Sequence, residues 1–201
     1  MYLFGNSYFE TLSLKNAFQA VFIVLLAAEM LLYLLTEWYG RRGTGVREKS
    51  DKGSCLLIVA GFAASIAINP VCRKLFPTVL PVWLFWIGAI LILAGVILRV
   101  YSVWTLGRFF TFSVQVNSEQ EIIRTGPYKY LRHPAYSGSI LSLAGVALAF
   151  RSPAGFLGTL IIVMLVYGYR IRVEEKVLER SFGAAYREYA GSTSRIIPFV
   201  W

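Results

Sequence analysis

The run LPVWLFWIGAILILAGVILRVYSVW, residues 80–104, carries a single charged side chain, Arg99. As a helix it is long enough to cross the roughly 30 Å hydrocarbon core of a bilayer. Trp83, Trp86 and Trp104 lie near its ends, where indole rings anchor a span at the interface. A membrane span must satisfy its backbone polar groups internally, so this stretch sets the fold as a bundle of transmembrane helices.

Comparable runs lie on both sides. Upstream are AFQAVFIVLLAAEMLLYLLTEWY (17–39) and SCLLIVAGFAASIAI (54–68), the latter expected to close at Asn69-Pro70. Downstream are AYSGSILSLAGVALAF (135–150) and AGFLGTLIIVMLVYGY (154–169). Only Arg151, Ser152 and Pro153 separate these two, which predicts a tight helical hairpin. The fold class is therefore all-α, a polytopic membrane protein of about five transmembrane helices. Composition agrees: 57% of the 201 residues are hydrophobic and 15% charged, against about 45–50% and 25% in soluble domains.

The net charge of +9 would suggest nucleic acid in a soluble protein. Here the basic residues bracket apolar runs, so topology and anionic lipid account for them and no nucleic-acid partner is expected. Segments 40–53, 99–132 and 170–195 hold 5, 5 and 6 of the 20 Lys and Arg. That bias predicts an outside N-terminus, with the C-terminus and the long loop 105–133 in the cytoplasm. The start of the chain has no basic n-region, so its first apolar run is expected to be a retained span rather than a signal peptide. Cys55 and Cys72 stand at opposite ends of one apolar run, too distant to bridge and expected as separate packing residues. The sequence shows no internal repeat and no soluble domain. It divides into an N-terminal two-span region, 1–79, and a three-span core with loop and tail, 80–201.

Beyond the last span, Val173, Val177, Leu178, Phe182, Tyr186 and Tyr189 recur at helical spacing, with charges between them. The fifth span is expected to continue out of the membrane, break near Gly183 and resume as a cytoplasmic amphipathic helix.

The stretch RTGPYKYLRHPAYSG, 124–138, concentrates polar and aromatic groups at the foot of the fourth span, including the only histidine. Gly126-Pro127 marks a turn from which Tyr128 projects. Pro134 suits the first turn of a helix, placing His133 at its N-cap, where free N–H groups and the dipole favour an anion. Arg132 would reinforce that, and small Ser137, Gly138 and Ser139 admit a close neighbour or a flat ligand. A basic juxtamembrane loop with interfacial tyrosines would look much the same. One histidine with two distant cysteines makes no zinc site, so no metal is expected.

In YRIRVEEKVLERSFGAAYREY, 169–189, Arg170 and Glu174 share a helix face at i,i+4. Arg170 falls near the hydrocarbon boundary, where ionisable groups face a protein interior or a wet cavity. Glu175, Lys176 and Arg180 fit an ordinary charged surface. Glu29 is an intramembrane carboxylate, functional or merely hydrogen-bonded to a neighbouring helix, and Arg99 can snorkel to the cytoplasmic end. Dinucleotide-binding, Walker A, zincin and nucleophile-elbow motifs are missing from the sequence.

GPYKYLRHPAYSG followed by RVEEKVLERSFGAAYREY resembles the isoprenylcysteine carboxyl methyltransferase family, within the wider superfamily of membrane phospholipid methyltransferases. LGRFFTFSVQV (Leu106–Val116) and the closing IIPFV (Ile196–Val200) are similar as well, so the likeness covers roughly 100–201. It implies an enzyme using S-adenosylmethionine, with Pro127, Tyr128, Arg132, His133, Pro134, Tyr136 and Gly138 in the cofactor pocket. Glu174 and Glu175 would close that pocket, and Arg170 would stand beside the substrate. Arg170 and Glu174 are then the expected catalytic residues. A lipophilic or prenylated substrate would enter between helices, among membrane lipids. A carboxylate acceptor would be held by Arg170 and need no base, whereas an amine headgroup or a thiol would make Glu174 a base. A non-catalytic membrane scaffold or transporter is the alternative from another class.

Overall fold

The computed structural model of the protein describes residues 8–42, 48–49, 53–110, 115–116 and 121–198. Parts of the LGRFFTFSVQV and IIPFV motifs fall outside the described residues. Six helices follow in order: α1 (Leu12–Arg42), α2 (Ser54–Leu75), α3 (Trp83–Leu106), α4 (Pro134–Ala149), α5 (Pro153–Phe182) and α6 (Ala184–Ser192). A two-residue antiparallel pair, Glu48–Lys49 with Gln115–Val116, ties the α1–α2 connection to the α3–α4 loop.

Among the described residues, four helices, α1, α2, α3 and α5, are long and apolar enough to cross a membrane. The fourth expected span differs. α4 has 16 residues, about 24 Å at the helical rise and short of the hydrocarbon thickness. Its role is internal. Ten of its residues are buried, because α3, α2 and α5 pack around it. The lipid-facing surface falls instead to side chains such as Ile90, Ile97, Trp104, Leu157 and Met164, all more than half exposed.

Glycines let α3 and α4 approach backbone to backbone. A Cβ built on Gly138 would lie 2.6 Å from Gly95 O and 2.7 Å from Arg99 N. One built on Gly145 would lie 2.6 Å from Gly88 O. The contacts pair the two helices antiparallel, and Ser142 Oγ adds a hydrogen bond to Ile92 O at 3.1 Å. Small residues of this kind are how helices associate where lipid leaves no hydrophobic driving force between them.

The expected hairpin is present. Arg151 takes a left-handed φ of 56° and exchanges two backbone-directed hydrogen bonds with Leu80, while Ser152 Oγ caps the start of α5 through Gly155 N. The break at Gly183 is present too, with φ 54°, and joins α5 to α6. Two expectations are corrected. α2 does not close at Asn69-Pro70 but runs through Pro70 to Leu75. Pro70 cannot donate to the preceding turn, but buried Asn69 braces that stretch by donating to Ser65 O and to Thr159 Oγ1 of α5. Arg99 does not snorkel: it is 7% exposed and paired with Glu29 inside the bundle.

Candidate active site at the joint of α4 and α5

Pro127 is the second residue of a short 3₁₀ turn, Gly126–Lys129, whose left-handed Gly126 (φ 56°) lets the chain reverse toward α4. That turn buries Tyr128 and leaves Lys129 and Tyr130 exposed. Pro134 is the first residue of α4 and His133 its N-cap, as expected, and both are buried. The helix start is not open to solvent, however. The C-terminal segment lies across it: His133 N donates to Arg195 O, Arg132 N to Ser194 O, and Ser137 Oγ to Ile196 O. The tail therefore covers the helix start, while the first-turn N–H groups of Tyr136 and Ser137 turn back to His133 O.

Two acids on α5 organise the rest. Glu175 is a hub rather than a surface charge. It accepts from Arg132 Nε at 2.8 Å and from Arg195 Nε at 3.0 Å, with His133 Nε2 at 3.5 Å. Arg132 also donates through Nη1 to Ala190 O and Thr193 O. This set clamps loop, α5 and tail together. Glu175→Gln should leave those cations facing a neutral partner and destabilise the protein by about 1–3 kcal/mol. Thermal unfolding in detergent would register that loss, together with faster proteolysis at 193–198.

Glu174 belongs to a different set. Tyr136 Oη donates to Glu174 Oε2 at 2.5 Å, and Arg170 Nε donates to Tyr136 Oη at 2.9 Å. Arg170 Nη1 reaches Ser54 Oγ at the start of α2, at 2.6 Å. The direct Arg170–Glu174 separation is 3.8 Å, so the tyrosine oxygen bridges acid and guanidinium. His133 stacks on Tyr136, rings 5.6 Å apart, with Nδ1 3.8 Å from Glu174. α4 and α5 are sequence neighbours, but only their packing brings 136, 170 and 174 to one point.

That point separates two cavities. The outer cleft is lined by Tyr128, Arg132, Glu174 and Tyr186, with Leu106, Phe109, Ile122, Leu178 and Phe182 as apolar walls. The inner chamber is lined by Tyr136, Arg170, Arg99 and Tyr167, with Cys55, Ile58 and Phe110. Burial and the Glu174 carboxylate push the Tyr128 phenol well above its ordinary pKa, so it remains a neutral donor. Burial likewise pushes Tyr189 up to about 12, despite Arg132 and Arg124 nearby, and its hydroxyl donates to Tyr128 O at 2.8 Å.

Of the sequence-predicted residues, Tyr128, Arg132 and Glu174 line the outer cleft, and Tyr136 and Arg170 line the inner chamber. Pro127, His133, Pro134 and Glu175 shape the loop and tail around them. Gly138 stands apart: it faces α3, where its missing Cβ is needed for backbone contact. Sequence reasoning assigned Tyr186 only to the apolar face of a helix. In the structure it is 5% exposed and its Oη, at the cleft, has no hydrogen-bond partner among the described residues. The signal was its place in FGAAYREY.

The fold and site define a helical integral membrane protein whose charged joint divides a cleft that holds Glu174 from a chamber that holds Arg170. A family model described as phospholipid methyltransferase (PEMT) matches residues 83–185, half of the chain. The chain belongs to the phospholipid methyltransferase family. Protein-S-isoprenylcysteine O-methyltransferase A of Arabidopsis thaliana is 33% identical over 120 residues, 59% of this chain and 61% of that protein. A probable protein-S-isoprenylcysteine O-methyltransferase of Oryza sativa subsp. indica is 30% identical over 129 residues, 63% and 68% of the two chains. Among solved structures, the eukaryotic intramembrane Ras methyltransferase ICMT superposes with a TM-score of 0.62 at 25% identity. That match covers 71% of this chain and 52% of the other. The chain thus spans about three fifths of the Arabidopsis relative and about half of the structural neighbour.

Proposed function

We propose that the protein is an integral membrane methyltransferase that uses S-adenosylmethionine and methylates the carboxylate of a lipidic, isoprenylcysteine-like acceptor. The observation that carries this is the Glu174–Tyr136–Arg170 bridge, which puts an acid toward the outer cleft and a guanidinium toward the inner chamber.

The outer cleft fits the cofactor. Its aromatic walls Phe109, Tyr128, Phe182 and Tyr186 suit an adenine and a sulfonium, and Glu174 suits a ribose or ammonium group. The Tyr186 hydroxyl is a buried donor in want of an acceptor. Arg132 lines the cleft, but its guanidinium is already shared among Glu175, Ala190 O and Thr193 O. Bound there, S-adenosylmethionine would supply an electrophilic methyl group.

The chain's own contribution is positioning and exclusion of water. Arg170, 2% exposed, would hold the acceptor carboxylate from the chamber side. Tyr136 stands between Arg170 and Glu174, so the guanidinium is not held directly by that carboxylate. Ile58, Phe110 and Tyr167 would receive its apolar part. A carboxylate acceptor loses no proton, and this reading needs no base. The Lys and Arg bias supports a site on the cytoplasmic side.

Binding of labelled S-adenosylmethionine to the purified protein in nanodiscs is the test. Saturable binding is expected, weakened about tenfold by Glu174→Gln and about three- to tenfold by Tyr186→Phe. No saturable binding by the wild type would reject the enzyme reading. Transfer of labelled methyl to a farnesylcysteine analogue, rather than to phospholipid amines or thiols, would fix the acceptor class.

A further inference from the structure

Glu29 of α1 and Arg99 of α3 meet inside the bundle, away from the cleft. Their contact is two-pronged: Arg99 Nε lies 2.6 Å from Glu29 Oε1, and Nη2 donates to Oε2 at 2.9 Å. The third nitrogen, Nη1, donates to Ala135 O at 3.2 Å, in the first turn of α4. A buried ion pair in a membrane protein is costly beside an apolar pair of the same volume. α1 already packs through buried Phe18, Phe22 and Leu25, so packing alone does not call for these charges.

The geometry gives them a task. Ala135 precedes Tyr136, whose Oη bridges Glu174 and Arg170. Arg99 and Tyr136 both line the inner chamber. Glu29 neutralises Arg99, so Arg99 offers a chamber anion little net attraction and Arg170 remains the cation that can hold one. What Arg99 does control is the first turn of α4. Its planar guanidinium is held on one side by the ion pair with Glu29 and the Nη2 hydrogen bond, and presents Nη1 to Ala135 O on the other.

We infer that the Glu29–Arg99 pair is a positioning device for Tyr136, setting the turn that carries the tyrosine and so its placement between Glu174 and Arg170. Glu29 lies outside the matched segment 83–185, and the inference makes α1 part of the working site. It rests on the methyltransferase reading given above.

Two variants test it. Arg99→Lys keeps a charge beside Glu29, but an ammonium lacks the fork that holds both carboxylate oxygens and the Ala135 carbonyl at once. The pair Glu29→Gln with Arg99→Gln removes both charges together and avoids leaving one unpaired. For each folded variant, kcat toward a farnesylcysteine analogue should fall about tenfold or more. The KM for acceptor and the Kd for S-adenosylmethionine should stay within about threefold of wild type. A merely structural pair would show the opposite: thermal stability changed, kcat within about twofold of wild type. That result overturns the inference.

A readout without turnover separates this from the enzyme assignment. Cys55 lines the same chamber, so its alkylation by a lipid-soluble maleimide, in a Cys72→Ser background, reports chamber geometry. The rate should shift severalfold in both variants. If the wild type methylates nothing, the methyltransferase reading fails and the Cys55 rate alone decides; an unchanged rate overturns the positioning role. Should the neutral pair not fold, Glu29→Asp, which moves the carboxylate by one methylene, replaces it under the same criteria.

Discussion

Arg170→Ala is expected to lower methyl transfer by about 10²–10³-fold while shifting the affinity for S-adenosylmethionine by less than about threefold. The asymmetry follows from where the side chain points. Arg170 lines the inner chamber and not the outer cleft. It donates to Tyr136 Oη at 2.9 Å and to Ser54 Oγ at 2.6 Å. Removing it takes away the group that orients an acceptor, and leaves Glu174 in the cleft with 28% of its side chain exposed and hydrated. The fold should survive, because no bare carboxylate is sealed in the interior; a loss of about 1–3 kcal/mol is expected from the hydrogen bonds that Arg170 makes to Tyr136 Oη and Ser54 Oγ. Arg170→Lys should recover part of the rate by restoring charge without the bidentate fork. Single-turnover methyl transfer and cofactor titration on the same preparation check both halves. Transfer within about tenfold of wild type would remove Arg170 from the acceptor site.

Gly138→Ala carries the second large effect, on stability rather than chemistry. The added Cβ would stand 2.6 Å from Gly95 O, 2.7 Å from Arg99 N and 2.8 Å from Arg99 Cβ. Two of these atoms are backbone and cannot rotate away, so α3 and α4 must separate. Overpacking of this kind costs about 1–3 kcal/mol, and it falls here on the most extensive helix contact in the molecule. Gly168→Ala is the matched control on α5, with nothing within 4 Å of the built Cβ. That change should be neutral or stabilising by up to about 1 kcal/mol, as for other helix-interior glycines. Thermal unfolding of both variants in one detergent decides the matter. A Gly138→Ala protein of wild-type stability that had lost cofactor binding would return Gly138 to the pocket.

The sequence by itself determined the class of protein, the helical hairpin, the break at Gly183 and the neighbourhood of the site. Each of these rests on local physics: apolar run length against bilayer thickness, proline and glycine backbone limits, and charge spacing along one helix. The segments 124–138 and 169–189 could be singled out for the same reason, since each concentrates its polar groups in a short span. The tertiary structure alone decided which partners those groups take. Glu175 reads as a surface charge along its own helix and becomes a clamp only when the tail crosses α4. Gly138 reads as a small residue open to a close neighbour or a flat ligand, and the neighbour it meets is Gly95. Tyr186 reads as apolar amphipathic packing and becomes a buried donor at the cleft. Pro70 reads as a helix end until Asn69 and Thr159 brace the turn that contains it. Glu29 and Arg99, 70 residues apart, carry no local sign of each other. Long-range pairing depends on which helix faces meet, and between α3 and α4 that is set by glycines whose missing side chains let the two backbones touch.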